Sequence, residues 1–333
     1  MNNKSVGTRE IDKRIDVLEE EIMNISPGLL KQLLKDRTTK KNIIWAVKDY
    51  ESNGPEFSET AEIKVELITG KYKNLIQPRA AKSKAVRDYR IKTKAEVFTP
   101  SWMCNHQNNL IDEMWFGRPG VFNTEGDRSW KVNKEKIDFK DKSWKVYITG
   151  PCLEITCGEG PYIASRYDTT TGKFIPLESR IGFFDRKMRV VKENCVTDEE
   201  WLEWSIKALK ASYGFEIQGD NIVIARENIL YSYIEYYYER FKKHPDLDLL
   251  KEVAKIISWN IWQMDGLKIV KPFSCYEKTH EEVGMFSSKT VTTYCQGCKK
   301  NNIFKHNGIY ATIKDWQKNE EIRFIDMLKG MKY

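Results

Sequence analysis

A chain of 333 residues, 41% of them hydrophobic, can bury a full α/β core and carry attachments to it. Its formal net charge of +7 permits an acidic partner such as nucleic acid without requiring one. The opening MNNKSVGTRE lacks an apolar h-region and no window reaches 18 consecutive apolar residues, so we expect no signal peptide, no membrane partner and a soluble, cytoplasmic protein with reduced cysteines.

Residues 9 to 25 interleave Ile11, Ile15, Val17, Leu18, Ile22 and Met23 with charges, the pattern of an amphipathic helix stopped by Ser26, Pro27 and Gly28. A second helix is expected over Leu29 to Leu34. Lys35, Arg37, Lys40 and Lys41 then precede Ile43, Ile44 and Trp45, either as a solvated face or as a grip on phosphate. Ser52 to Thr60 reads as a linker, and Ile63 to Leu67 as a short strand or helix start.

From Arg79 to Lys94, seven basic residues stand against the single acid Asp88. This run either follows a nucleic-acid backbone or forms an exposed basic helix with no partner. Thr99 and Pro100 predict a turn into a helix with Met103, Leu110, Ile111 and Met114 facing inward.

Val146, Tyr147, Ile148, Leu153 and Ile155 predict a buried strand that empties into Thr156, Cys157, Gly158, Glu159 and Gly160. The two glycines allow close approach to a ligand, although a plain tight turn is an equal reading of the same residues. Residues 165 to 200 read as loop, with Arg180, Arg186, Lys187 and Arg189 either touching DNA or serving structure. A helix over Asp198 to Ser212, a strand over Tyr213 to Ile217, a helix over Ile222 to Tyr238 and a helix over Leu247 to Ala254 follow. A strand is then expected through Ile256 and Ile257, with a turn at Asp265 and Gly266. Glu154, Glu216 and Asp265 thus fall near the ends of three successive strands, where ligands of parallel sheets bind. Glu216 stands where ribose hydroxyls would be held, and Asp265 where an exocyclic amine would be.

Four segments now carry a resemblance: EVFTP at Glu96 to Pro100, LEITCGEG at Leu153 to Gly160, YGFEIQGDNIVIAREN at Tyr213 to Asn228, and WNIWQMDGL at Trp259 to Leu267. In this order they resemble the adenine-N6 DNA methyltransferases of restriction-modification systems, particularly the restriction endonuclease M subunits. The resemblance covers roughly residues 90 to 270. It implies an α/β fold with a Rossmann-like S-adenosylmethionine-dependent methyltransferase sheet over residues 90–270, interrupted by an insertion at 165–200. A helical basic region, 1–89, would precede it and a small Cys/His tail, 271–333, would follow.

By the same resemblance, S-adenosyl-L-methionine would lie with Phe98, Thr99 and Pro100 beside its methionine part. Glu154, Gly158 and Gly160 would lie beneath it, with Cys157 in the same turn, Glu216 on the ribose and Asp265 on the adenine amine. The implied activity is methylation of adenine N6 in DNA, with a restriction nuclease or a second methyltransferase subunit as further partner.

The chain departs from the family twice. Glu216 follows Glu154 by 62 residues, about three times the usual spacing of roughly 20. No two of its ten prolines are adjacent, so the Asn/Asp/Ser-Pro-Pro-aromatic motif that would hold a flipped adenine is absent. Lys271 to Tyr276 is the nearest substitute, with Pro272, Phe273 and Tyr276 as candidate catalytic residues. A partner polypeptide carrying the motif, or loss of catalysis, fits equally well. The alternative function is therefore a non-catalytic subunit that binds the cofactor and DNA in support of a separate catalytic or nuclease chain.

Near the C-terminus, Cys295 and Cys298 form a C-x2-C knuckle followed by His306, with Cys275 and His280 upstream. Cys275, Cys295, Cys298 and His306 are the candidate zinc ligands, against reduced cysteines in an ordinary turn. Cys104, Cys152 and Cys195 read as single packed residues.

Overall fold

A computed structural model of the chain describes residues 15–16, 19–283 and 288–329. The fold is mixed α/β. The expected first helix appears as α1 (Glu19–Ile25); Ile11, Val17 and Leu18 lie outside the described residues. Pro27, whose fixed φ suits a first helical turn, opens α2 (Pro27–Leu33). Ile43, Ile44 and Trp45 are buried in extended backbone, with Ile44 bridged to Glu62, while Val65–Leu67 is a short 3-10 turn.

Ser83 caps α3 (Lys84–Lys94), its hydroxyl accepting from the Val86 N–H, and Ala95 ends the helix in left-handed backbone. The helix after Pro100 is α4 (Ser101–Phe116), but its faces are the reverse of those expected. Leu110, Ile111 and Met114 are exposed, and the buried face carries Asn105, Asn108 and Asp112. The cause is hydrogen bonding: Asn108 donates to the Tyr162 and Ile181 carbonyls, and Asp112 accepts from Tyr147 and pairs with Arg186. A hairpin, β1 (Asn123–Gly126) and β2 (Ser129–Val132), follows.

The apolar run from Val146 is not strand. Ser143 caps a single-turn helix, α5 (Trp144–Thr149), which buries Tyr147 and Ile148 and leaves Val146 outside. Gly150 and Pro151 end it, and the strand is only β3 (Cys152–Glu154). The stretch expected as loop contains α6 (Phe183–Asn194), whose Arg186 and Lys187 are buried through specific partners. A Thr197/Glu200 capping box opens α7 (Asp198–Lys210) ahead of β4 (Ser212–Glu216). Then come α8 (Gly219–Phe241) and α9 (Leu247–Asn260). Ile256 and Ile257 belong to the last turns of α9, where with Val253 and Ala254 they form its buried face. The strand expected there is β5 (Ile261–Gln263). The C-terminal residues form β6 (Lys278–Val283), β7 (Ser288–Thr293), α10 (Gln296–Lys300), β8 (Thr312–Asp315), β9 (Glu320–Arg323) and α11 (Phe324–Lys329).

The parallel sheet has the order β3-β4-β5, with Glu154 opposite Gly214 and Glu216 opposite Gln263. One apolar core joins α2, α6, α8 and α9 to one side of this sheet. On the other side, Ala311, Ile313, Phe324 and Ile325 cover Phe215, Trp262 and Met264. Buried Arg226 on α8 donates to the carbonyls of Leu33, Lys35, Ser258 and Ile261, satisfying backbone acceptors at the ends of α2 and α9. Among the described residues no helix is long and apolar enough to cross a membrane.

Candidate functional site

The turn after β3 is held in left-handed backbone at Thr156, Gly158 and Gly160, with φ of +49°, +52° and +76°. The end of β4 fixes it in place. Cys157 N–H donates to the Phe215 carbonyl at 2.8 Å, and Gly158 N–H donates to a Glu216 carboxylate oxygen at 3.0 Å. The other Glu216 oxygen accepts from the N–H groups of Ile217 and Gln218 at 2.8 and 3.1 Å. Phe98 lies over the turn so closely that a Cβ on Gly158 would stand 3.1 Å from its ring. Arg79 stacks on that ring with its guanidinium 5.3 Å from the centroid.

Around this turn opens a cavity of about 1190 Å³, into which the structure brings Phe98, Thr99, Glu154, Cys157, Gly158 and Glu216 together. Burial pushes the Glu154 carboxyl well above its ordinary range, although the Tyr162 and Ile163 N–H groups oppose the shift. Burial raises Glu216 too, against its three backbone donors. Behind the turn, Glu159 is fully buried, accepting from Tyr167 and the Arg79 N–H, and burial raises its pKa to about 7.

Three expected cofactor residues do not line the cavity. Pro100 is the N-cap of α4. Gly160 packs against Ala225 of α8, where an added Cβ would meet the alanine methyl at 3.6 Å. The Asp265 carboxylate is used within its own turn, accepting from the Leu267 and Lys268 N–H groups and pairing with Lys268 Nζ, and it is Leu267 that reaches the cavity. The candidate catalytic residues Pro272, Phe273 and Tyr276 are likewise outside the lining, beside Cys275, and Phe273 and Tyr276 are exposed.

The basic run divides into two groups. Arg90 is buried and pairs with Asp49, Glu96 and Asp220 at 2.7, 2.7 and 2.9 Å, and Lys82 joins Asp220 at 3.1 Å. Against the desolvation that raises it, Lys82 and Arg90 hold the Asp220 carboxyl below the usual carboxylate range. Lys84 and Lys92 are exposed. This network braces Glu96, Gln218 and Asn221, cavity residues not among the expected site residues; an acid in the first turn of the helix after a strand, as at Asp220, is the signal that was available. In the insertion, Arg180, Arg186 and Lys187 are buried. They bind Glu235, Asp112 and the Gly150 and Ala211 carbonyls respectively, which is a structural use.

At the C-terminal end the four expected ligands converge. The sulfurs of Cys275, Cys295 and Cys298 stand 3.4, 3.5 and 3.6 Å from His306 Nδ1, and all four donor atoms lie within 4.8 Å of one another. Tetrahedral bonds of about 2.3 Å to sulfur and about 2.0 Å to nitrogen separate the two atoms by about 3.5 Å, so the set fits one zinc-sized ion. Gly297 packs against His306 so tightly that a Cβ there would lie 2.5 Å from the imidazole. Comparison of the chain with protein families, with curated proteins and with solved structures gave no match.

Proposed function

We propose that the cavity binds S-adenosylmethionine and that the chain is the cofactor-binding component of an adenine-N6 DNA methyltransferase in a restriction-modification system. Under this reading β3, β4 and β5 belong to a Rossmann-like sheet. The observation that carries it is that Glu96 to Pro100, Leu153 to Gly160 and Tyr213 to Asn228, distant in the chain, meet at one cavity through the Glu216–Gly158 hydrogen bond and the Phe98 ring. The cofactor would supply an electrophilic methyl on a sulfonium. Phe98 lies over the glycine turn with Arg79 stacked on its ring, and the Glu216 carboxylate, with three N–H donors on about four lone-pair sites, keeps room for a hydroxyl. Exposed Lys84 and Lys92 offer charge to DNA phosphates.

The position of Pro272, Phe273 and Tyr276 beside Cys275, outside the cavity lining, favours the second reading: binding of cofactor and DNA here, with catalysis completed by a separate chain. Calorimetry with S-adenosylmethionine, followed by transfer of labelled methyl to unmethylated DNA, separates the cases. Binding with transfer makes the chain a complete enzyme, binding without transfer supports the second reading, and absence of binding overturns both. We further propose that Cys275, Cys295, Cys298 and His306 hold a structural zinc. A closed four-ligand set would staple the C-terminal residues, and elemental analysis of the purified chain tests it.

A further inference from the structure

The aromatic residues around the Cys/His cluster have no part in the cavity. Among the described residues six aromatic side chains are exposed: Tyr89, Tyr238, Phe273, Tyr276, Tyr294 and Phe304. The last four each stand within two residues of Cys275, Cys295 or His306, whose donor atoms lie within 4.8 Å of one another. Phe273, Tyr294 and Phe304 are 53%, 51% and 46% exposed. Three separate segments therefore bring open rings to one small region.

Hydrogen bonds knit these segments together. Ile309 N–H donates to Ser274 Oγ at 3.0 Å, and Lys271 N–H donates to the Ile309 carbonyl at 2.8 Å. Tyr276 N–H donates to Asn307 Oδ1 at 3.2 Å, and Asn302 N–H donates to the Gly297 carbonyl at 2.9 Å. Phe273 sits in left-handed backbone with φ of +59°, a conformation that bulky residues rarely adopt. Its turn displays the ring instead of burying it.

The same region is basic. Residues 266 to 280 and 294 to 311 hold six lysines against one acid, Glu277. Lys268 and Lys271 are paired with Asp265 and Asp36. Lys299, Lys300 and Lys305, each within two residues of Cys298 or His306, are exposed and form no ion pair among the described residues.

Unpaired cations beside open rings set the chemistry of the partner. An apolar protein surface would strip water from three ammonium groups with no acid to receive them. An acidic peptide would answer the lysines and leave the rings unused. Duplex DNA offers phosphates but keeps its base faces stacked inside. A single strand offers both phosphates and a π-face on every base.

We propose that the Cys/His cluster carries a binding surface for single-stranded DNA. Phe273, Tyr294 and Phe304 stack on unpaired bases, and Lys299, Lys300 and Lys305 hold the phosphates. None of these residues lines the cavity, so the surface stands whichever small molecule the cavity binds. Only the choice of DNA over RNA rests on the proposed function.

The test uses the full chain with its metal, and fluorescence anisotropy with a labelled oligothymidylate of about 20 nucleotides, long enough for several bases to be bound. Phe273→Ala, Tyr294→Ala and Phe304→Ala should each weaken binding about fivefold or more and leave binding of a duplex of the same length unchanged. Tyr238→Ala, at an exposed ring elsewhere, should have no effect. Replacing the three lysines by glutamine should reduce the slope of log affinity against log salt by roughly two. Ultraviolet cross-linking of the unsubstituted chain to a strand carrying 5-iododeoxyuridine needs no variant, and its adducts should map to Phe273, Tyr294 or Phe304. Full single-strand affinity in the ring variants, equal loss of duplex binding, adducts confined to other residues, equal competition by oligoglutamate, tighter binding of oligouridylate, or no binding at low salt would each overturn the proposal. Calorimetry with S-adenosylmethionine decides the cofactor reading separately.

Discussion

Glu216 at the end of β4 and Gly158 in the turn after β3 are joined by a 3.0 Å hydrogen bond across 58 positions of sequence. The long segment between them returns to the sheet at this contact. Glu216→Ala would leave three N–H groups without an acceptor, that of Gln218 buried and those of Gly158 and Ile217 partly buried. We expect it to weaken S-adenosylmethionine binding at least tenfold and to lower stability by about 1–3 kcal/mol. Calorimetry and urea unfolding measure the two effects, and a variant that binds normally would remove Glu216 from the site.

Gly158 combines a φ of +52° with the Phe98 ring 3.1 Å from where a Cβ would sit. Gly158→Ala therefore meets both backbone strain, about 1–2 kcal/mol, and a clash that displaces Phe98. The expected outcome is lost cofactor affinity with a modest fall in the unfolding midpoint. Phe98→Ala should lower affinity without the backbone strain, so comparing the two variants isolates the ring's contribution.

Much of this site was legible because it rests on short-range chemistry. Glycines after a strand, an acid at a strand end and a C-x2-C knuckle each have a local physical meaning, and their residues meet in space. The misreadings arose where tertiary partners overrode local pattern. Val146 to Ile148 resemble strand until Ser143 caps them and Gly150 stops the turn. α6 resembles loop because its buried face includes Arg186 and Lys187, whose partners, Asp112 and the Gly150 and Ala211 carbonyls, come from elsewhere in the chain. α4 shows the same effect most clearly: the hydrogen bonds that Asn108 donates and Asp112 accepts turn its polar face inward and leave Leu110, Ile111 and Met114 outside.

The basic run makes two opposite predictions. Arg90→Ala leaves Glu96 and Asp220 buried without their common cation and should destabilise the fold by about 3–5 kcal/mol. The exposed Lys84→Ala/Lys92→Ala pair should change stability by less than about 0.5 kcal/mol while reducing affinity for DNA and the salt dependence of that affinity. Urea unfolding and a salt series of DNA binding measure both. Loss of DNA binding only in the Arg90 variant, and only on unfolding, would assign the whole run to structure.

Glu159 sets a pH window. Burial raises its carboxyl from 4.5 to about 7, so the native chain keeps a proton that the unfolded chain releases within that interval. The corresponding stability is fully present below pH 4.5, declines as pH rises toward 7 and is level above it. Buried Glu154, Glu216 and Glu227 shift in the same direction and add to the slope. Glu159→Gln should flatten the profile by up to roughly 3 kcal/mol between pH 4.5 and 8. Parallel profiles for the two proteins would show that Glu159 is ionised across the range.

A run of hydrogen bonds leads from the Cys275/Cys295/Cys298/His306 cluster to the cavity. His306 N–H donates to the Tyr310 hydroxyl, which donates in turn to the Ile303 carbonyl. Tyr310 pairs through its backbone with Val270, and Val270 pairs with Asp265, whose turn presents Leu267 to the cavity. Removing one ligand by Cys295→Ser should release the metal, loosen this chain of contacts and weaken cofactor binding a few-fold. The main core, built on α2, α6, α8 and α9, should stay folded, because none of its buried residues comes from the C-terminal segment that carries the cluster, which touches this core through Trp316. Elemental analysis, calorimetry and far-ultraviolet circular dichroism measured together follow the three parts. Metal loss with unchanged cofactor affinity would restrict the zinc to stapling the C-terminal residues, and collapse of the whole fold would show that those residues hold the sheet together.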